Sequence, residues 1–207
     1  MVDIGSFSKA TIILRGFDYV QIKNVLAILS ESRINSVEIS LTGEGNKKNI
    51  EKALNEFGDK MSIGAGTVLN KGDLQDVISL GVKFVLSPIM FSEEMFDICK
   101  KNNVVSVPGA FSPTEAYQSF INGADIVKVF PADVVSPGYF KDIKAPIPEF
   151  KLMAVGGVNI QNSQQFLKNG ADYLGIGSGI FNKEDILNGN YSGLKKRIEC
   201  LEREIYN

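Results

Sequence analysis

The segment Ala124-Asp125-Ile126-Val127-Lys128-Val129-Phe130-Pro131 has the composition of a β-strand, with one lysine near its centre and a proline at its end. Because the residues on both sides of Lys128 are apolar, the strand is predicted to be buried on both faces, as in a parallel sheet. A buried ammonium is unfavourable unless it is paired or loses its proton, and desolvation lowers the pKa of a lysine. Neutral lysines form Schiff bases with carbonyl substrates. Lys128 is therefore a candidate nucleophile; the alternative is a lysine that extends to solvent or joins a structural ion pair.

Similar apolar segments occur on both sides of this strand, separated by amphipathic helical segments. This alternation is typical of βα units built on a parallel sheet. The eight predicted strands are Thr11–Arg15, Ser36–Leu41, Met61–Val68, Phe84–Pro88, Val104–Pro108, Ile126–Pro131, Leu152–Gly157 and Tyr173–Ser178. The predicted helices between them include Asn46–Phe57, Asp73–Leu80, Glu93–Lys101, Ser112–Ile121 and Gln161–Lys168.

Eight such units in 207 residues predict one α/β domain over residues 1–207, a compact (β/α)8 TIM barrel. A doubly wound sheet is the less favoured arrangement. A short leading helix is predicted over Met1–Lys9, and an amphipathic helix over Asn190–Asn207.

The composition argues against several classes of protein. Hydrophobic residues make up 44% and charged residues 22%, which is typical of a globular chain. A net charge of -2 gives no electrostatic case for binding nucleic acid or an acidic membrane surface. No apolar run approaches the ~18 residues of a transmembrane helix, and the N-terminus lacks a signal-peptide pattern. We therefore expect a cytoplasmic protein.

The chain contains no histidine, which removes Ser-His and Cys-His nucleophile systems and every histidine-ligated metal site. Cys99 and Cys200 are far apart and belong to no CxxC motif, so both are predicted to be reduced thiols. No cofactor and no metal are expected, and acid/base chemistry falls to carboxylates, lysines, hydroxyls or water.

Barrel active sites lie at the C-terminal ends of the strands. Glu38, in the second strand, is either an edge residue or an inward charge that needs a partner. In the same barrel mouth as Lys128, it is a candidate acid/base. Arg15 either binds a substrate carboxylate or caps the barrel.

Glycines close the seventh and eighth strands, as Gly156-Gly157 and Gly177-Ser178-Gly179. Each cluster alone could serve only a tight turn. Together they occupy the two strands after which barrels often bind phosphate through backbone N–H groups. Neither cluster fits GxGxxG, and no GxxxxGK[ST] is present, so neither a dinucleotide nor a nucleotide triphosphate site is predicted.

These residues resemble the KDPG/KHG aldolases over about Arg15 to Phe181. The motifs that carry the resemblance are Val37-Glu38-Ile39, Ile63-Gly64-Ala65-Gly66-Thr67-Val68, Ser87-Pro88, Val107-Pro108-Gly109, Lys128-Val129-Phe130-Pro131, Val155-Gly156-Gly157-Val158 and Gly177-Ser178. The resemblance implies a class I aldolase on a (β/α)8 barrel, usually a homotrimer. Such enzymes cleave 2-keto-3-deoxy-6-phospho sugar acids to pyruvate and glyceraldehyde 3-phosphate.

By this resemblance Lys128 is the Schiff-base lysine and Glu38 the acid/base. The implied substrate-binding residues, from the pyruvate end to the phosphate end, are Arg15, Thr67, Pro88, Phe130, Val155, Gly156, Gly157, Gly177 and Ser178. Two positions depart from the pattern. Thr42 replaces an arginine found in many members. Val155 replaces a threonine that is common in enzymes for the gluconate epimer, and a valine at this position resembles the 6-phosphogalactonate branch.

Three other functions remain open. The main activity could be cleavage of 4-hydroxy-2-oxoglutarate. An isomerase or epimerase of phosphorylated sugars would share the phosphate site without a Schiff base. A non-catalytic barrel could bind sugar phosphates as a sensor.

Overall fold

The computed structural model describes residues 4, 5 and 7–207, apart from the side chain of Ser178. Its strands form one parallel sheet in the order β5-β4-β3-β2-β1-β9-β8-β7-β6. The strands are β1 Ala10–Leu14, β2 Ser36–Ser40, β3 Ser62–Gly66, β4 Phe84–Leu86, β5 Val105–Val107, β6 Gly109–Ala110, β7 Val127–Val129, β8 Leu152–Val155 and β9 Tyr173–Gly177.

The two ends of this sheet meet at Pro108, which separates β5 from β6. Proline has no N–H group and therefore interrupts a strand ladder. β5 pairs with β4, whereas β6 pairs with β7. The Lys128 N–H donates to the Pro108 carbonyl over 2.9 Å, and the Ile126 N–H donates to the Ser106 carbonyl over 3.2 Å. β5 and β6 thus act as one strand, and the sheet closes into an eight-stranded barrel. The predicted (β/α)8 barrel is confirmed, and the doubly wound alternative is wrong.

Helices surround the barrel. They are α1 Tyr19–Leu29, α2 Asn46–Phe57, α3 Lys71–Leu80, α4 Glu93–Lys101, α5 Pro113–Ile121, α6 Gly138–Lys144, α7 Ile160–Lys168, α8 Lys183–Asn188 and α9 Tyr191–Tyr206, with a 3-10 turn over Ser178–Ile180. α2 and α4 have the predicted bounds, whereas α1, α6 and α8 are additional to the named predictions. No helix in the described part of the chain is long and apolar enough to cross a membrane. Both cysteines are free, as predicted.

The predicted leading helix falls partly outside the described residues. Residues 4, 5 and 7–9 form turns and bends rather than helix. Phe7 packs edge-on against Phe84 and Tyr173, with ring centroids 5.1 and 5.5 Å apart. Because Phe84 and Tyr173 begin β4 and β9, this contact places Phe7 at the N-terminal end of the barrel, where it covers the apolar interior.

Buried apolar side chains form two clusters. The larger lies between the strands and the helices. The smaller fills the barrel interior and consists of Ile13, Phe84, Leu86, Val105, Val107, Ile126, Met153 and Val155. Because alternate residues of a strand share a face, Lys128, two positions after Ile126, also points into the barrel.

Candidate active site

Lys128 projects from the middle of β7 and is only 5% exposed. Its Nζ lies 4.7 Å from the centroid of the Phe130 ring. Burial lowers the pKa of Lys128, although the carboxylate of Glu38 acts in the opposite direction and Arg15 adds to the lowering. This burial contradicts the alternative in which the lysine extends to solvent. The barrel therefore favours an amine that can lose its proton and act as a nucleophile.

Glu38 lies in β2 and is 2% exposed. Burial raises its pKa to about 6, against the opposing charges of Lys128 and Arg15. Its Oε1 atom is buried without a hydrogen-bond partner. A carboxyl group with this pKa can both accept and return a proton near neutral pH. The free oxygen is available to a hydroxyl group of a bound molecule.

Two glycines in β3 make room for these interior side chains. A Cβ atom on Gly66 would lie 1.5 Å from Oε1 of Glu38, and one on Gly64 would lie 2.3 Å from the ring of Phe84. Gly66 is therefore required by the position of the carboxylate, and Gly64 by the ring of Phe84. From the sequence alone the segment Gly64-Ala65-Gly66 is part of a predicted strand and of a family motif, with no indication of these two contacts.

A cavity of about 300 Å³ opens at the C-terminal ends of β1, β8 and β9; neither Lys128 nor Glu38 lines it, but its wall includes Phe130, whose ring contacts the lysine. It brings together six of the predicted substrate-binding residues, namely Arg15, Phe130, Val155, Gly156, Gly157 and Gly177. Four further residues line it, namely Ile13, Val158, Gly175 and Gly179. Ile13 could have been found from the sequence, because it lies two positions before Arg15 and shares its face.

The glycines of this cavity differ in what the fold requires of them. Gly156 and Gly157 have φ angles of +99° and +67°, in the left-handed region that favours glycine. A Cβ on Gly157 would also lie 2.3 Å from the Cβ of Asp133. At Gly177, by contrast, an added Cβ would meet nothing within 4 Å. Gly177 is not demanded by packing, and its missing side chain leaves open space in the cavity.

Thr67 and Pro88 are not among the residues that line this cavity. Thr67 borders a second, larger cleft of about 620 Å³, whose walls include Leu41, Thr42 and Leu69. Its Oγ1 lies 2.9 Å from Oγ of Ser40. The backbone of Pro88 packs against Gly109, where a Cβ would lie 2.4 Å from the Pro88 carbonyl. The roles predicted for both residues remain predictions.

Ser178 begins the 3-10 turn after β9, but its side chain lies outside the described part of the structure. The last residue of this turn is held from α9, where Arg197 donates a hydrogen bond from Nε to the carbonyl of Ile180. No motif in the sequence indicates this contact, because it depends on how α9 packs against the turn after β9.

Known proteins are similar to this chain in sequence and in fold. The family model described as KDPG and KHG aldolase matches residues 9–197. Over 170 residues the chain is 31% identical to a "probable 2-dehydro-3-deoxy-6-phosphogalactonate aldolase" of Rhizobium meliloti (strain 1021), covering 82% of this chain and 80% of that protein. It is 30% identical to the 2-dehydro-3-deoxy-6-phosphogalactonate aldolase of Escherichia coli (strain K12), covering 82% of each.

Among solved structures, the chain is similar to the KDPG aldolase of Legionella pneumophila, with a TM-score of 0.85, 26% identity and 96% of both chains covered. That enzyme was captured with pyruvate as a covalent carbinolamine intermediate.

Proposed function

Since the chain belongs to the KDPG and KHG aldolase family, we propose that it cleaves 2-keto-3-deoxy-6-phosphogalactonate to pyruvate and glyceraldehyde 3-phosphate, with Lys128 as the Schiff-base residue. The chain is an aldolase, and therefore a lyase. The observation that carries the residue assignment is the lysine itself, buried inside a closed barrel and influenced by one buried carboxylate.

Bond formation begins when the neutral amine of Lys128 attacks the C2 ketone. The resulting carbinolamine loses its hydroxyl group as water after Glu38 donates a proton to it. A protonated imine remains, and it withdraws electrons from the neighbouring C3–C4 bond. The Oε1 atom of Glu38 has no hydrogen-bond partner among the described residues, so the carboxyl group is free to reach the carbinolamine hydroxyl.

Carbon–carbon cleavage uses the same carboxylate in the reverse sense. Glu38 takes the proton of the C4 hydroxyl, the C3–C4 electrons move into the imine as an enamine, and glyceraldehyde 3-phosphate leaves. Protonation of the enamine at C3 and hydrolysis of the imine then release pyruvate and restore the free lysine. A pKa of about 6 for Glu38 suits both directions of transfer near neutral pH.

We assign the two ends of the substrate from the family resemblance, together with the charge of Arg15 and the open backbone of the glycines. Arg15 and Thr67 bind the carboxylate, Pro88 borders the pyruvate end, and Phe130 flanks the imine. The backbone N–H groups at Gly156, Gly157, Gly177 and Ser178 bind the phosphate. Val155 faces the C4 region and is 4% exposed, so it offers an apolar surface where a threonine would offer a hydroxyl. The galactonate preference rests on this residue and on the similarity to the two galactonate aldolases.

We also propose a cytoplasmic homotrimer. Exposed apolar side chains follow four neighbouring strands along one side of the barrel mouth, at Leu69, Ile89, Phe111 and Val134. Exposed apolar side chains at four successive strand ends support self-association. A phosphorylated substrate is retained inside the cell, which supports a cytoplasmic location. Sedimentation equilibrium measures the assembly directly.

Borohydride reduction in the presence of pyruvate tests the central claim. We expect one reduced pyruvyl adduct per chain, located on the peptide that contains Lys128. Steady-state assays with both 6-phospho epimers then measure substrate choice, and kcat/KM is expected to be higher for the galactonate. An adduct without cleavage of either epimer, but with cleavage of 4-hydroxy-2-oxoglutarate, contradicts the phosphate assignment and leaves the lysine chemistry intact. Absence of any adduct contradicts the assignment of Lys128 as the Schiff-base residue.

A further inference from the structure

We propose that Ser40 is a positioning residue that sets which way the hydroxyl of Thr67 points, through a relay of three hydroxyls formed with Thr42. The inference deepens the proposed function and rests on it, because it concerns how the carboxylate end of the substrate is recognised.

Ser40 lies one layer above Glu38 inside the barrel. It is two residues further along β2 and therefore shares the inward face of that strand. It is 1% exposed and pairs in register with Gly66, the residue before Thr67. The relay thus lies between the buried carboxylate and the mouth of the barrel.

The hydrogen bonds of the relay are well defined. Oγ of Ser40 lies 2.9 Å from Oγ1 of Thr67. The Ser40 hydroxyl donates to Oγ1 of Thr42 over 3.1 Å, and the backbone N–H of Thr42 donates back to Oγ of Ser40 over 3.3 Å. Ser40 is therefore the only link between the two threonine hydroxyls within the relay.

The backbone at Thr67 indicates that its side chain is used for more than packing. Its φ angle is +59°, in the left-handed region, which is unfavourable for a β-branched residue. Glycine would adopt this conformation without strain. Strained residues of this kind are concentrated at functional sites. The hydroxyl, held by Ser40, is the feature of Thr67 that glycine would lack.

Counting hydrogens gives the relay a direction. Each hydroxyl carries one hydrogen and can accept others. While Ser40 donates to Thr42, Thr67 must donate its own hydrogen to Ser40, and it presents only lone pairs to the site. A carboxylate bound at Thr67 needs a donor. Ser40 must then donate to Thr67 instead, and the Thr42 hydroxyl must rotate to donate to Ser40. Thr42 therefore competes with Thr67 for the Ser40 hydrogen, and a bound carboxylate favours donation to Thr67.

This competition predicts opposite effects for two substitutions. Ser40→Ala removes the group that orders Thr67, and it should raise the pyruvate concentration that half-saturates borohydride trapping by roughly tenfold. Thr42→Val keeps the N–H donor but removes the competing acceptor, and it should lower that concentration by roughly two- to fivefold. The trapping rate at saturating pyruvate should change less than about twofold in either variant. Ser40→Thr retains the hydroxyl and should behave like the parent.

The chain offers a matched control in the same strand. Ser36 is also buried in β2 and forms a hydroxyl pair with Thr11, 2.9 Å apart, at the opposite end of the barrel. Ser36→Ala should leave the half-saturating pyruvate concentration unchanged. An equal shift in the Ser36 and Ser40 variants, or an increase in Thr42→Val, would overturn the proposed relay. Absence of trapping in the parent protein would instead overturn the Schiff-base function, so the two failures are distinguishable.

Discussion

The two ends of the proposed substrate site are built in different ways. The keto-acid end is made of side chains, with Lys128, Glu38 and Arg15 supplying charges and Thr67 and Ser40 supplying hydroxyls. The phosphate end is made of backbone and of missing side chains, in the glycines that follow β8 and β9. The keto-acid end therefore depends on side-chain groups, whereas the phosphate end depends on the absence of side chains that would fill the anion's volume.

This difference determines how each end can fail. At the keto-acid end, removing atoms removes a nucleophile, a base or a hydrogen-bond donor. At the phosphate end, adding atoms fills the volume that the anion needs or strains a left-handed backbone. Substitutions that test the comparison should therefore shorten side chains at one end and lengthen them at the other.

The largest effect is expected from Lys128→Met, which replaces the amine with an apolar side chain of similar length. Turnover should fall on the order of 10³-fold or more, because no other group can form the imine. The fold should persist, because methionine fills a similar volume and Glu38, which loses the opposing charge of Lys128, can become neutral by taking up a proton. Steady-state pyruvate release measures the loss, and circular dichroism checks the fold. A variant with parental turnover would contradict the role of Lys128.

Gly66→Ala should produce the next largest loss, although residue 66 carries no functional group. Its new Cβ would occupy the position of Oε1 of Glu38, 1.5 Å away, so the carboxylate must move. We expect kcat to fall by roughly 10² to 10³, the magnitude associated with a displaced acid/base. Glu38→Gln should give a similar kcat, and the double variant should be little worse than either single one. Additive losses would show that Gly66 acts elsewhere.

The role of Gly66 could not be predicted from the sequence, whereas much of the surrounding fold could. The barrel, most of its strands and the residues Lys128 and Glu38 are predictable, because periodicity and residue type are local properties of the chain. The contact between Gly66 and Glu38 is not, because it depends on the register between β2 and β3. The capping box of α5, in which Ser112 and Glu115 bond each other's backbone N–H, is local and follows the predicted helix start.

The leading segment gives a second example. Residues 1–9 suit a helix by composition, but Phe7 packs against two rings contributed by β4 and β9. A tertiary contact with partners that far along the chain outweighs a weak local preference. The two glycines Gly157 and Gly177 are a third example. A side chain at residue 157 would collide with Asp133, whereas one at residue 177 would meet no protein atom within 4 Å. The sequence does not distinguish them, because the difference depends on tertiary neighbours.

Gly177→Ala tests the open phosphate end with a smaller expected effect. The methyl group would meet no protein atom within 4 Å, so the free energy of unfolding should stay close to that of the parent. KM for the phosphorylated substrate should rise by about tenfold, because the methyl occupies anion space. Pyruvate trapping should not change. Gly157→Ala provides the contrast, since its Cβ would collide with Asp133 and it should lower the melting temperature.

The smallest expected effect is a change in the pH dependence of kcat/KM, which tests Glu38 as the acid/base of the keto-acid end. Burial raises the pKa of Glu38 to about 6, so below that pH the carboxyl is increasingly protonated and cannot accept the C4 proton. We therefore expect kcat/KM to rise with pH and to level off above about pH 6.

Substitution of Arg15 should shift this rising part of the pH profile. Arg15 opposes the effect of burial by lowering the pKa of Glu38, so Arg15→Met should move the rise in kcat/KM to higher pH by less than about one unit. Arg15→Lys keeps the charge and should leave the rise nearly in place. Removing Arg15 also relieves its lowering of the Lys128 pKa, which acts in the same direction. The Glu38→Gln variant shows which of the two residues causes the rise in kcat/KM with pH. If Glu38 causes it, the residual activity of the variant should not depend on pH in this range. A rise that persists in the variant must come from Lys128.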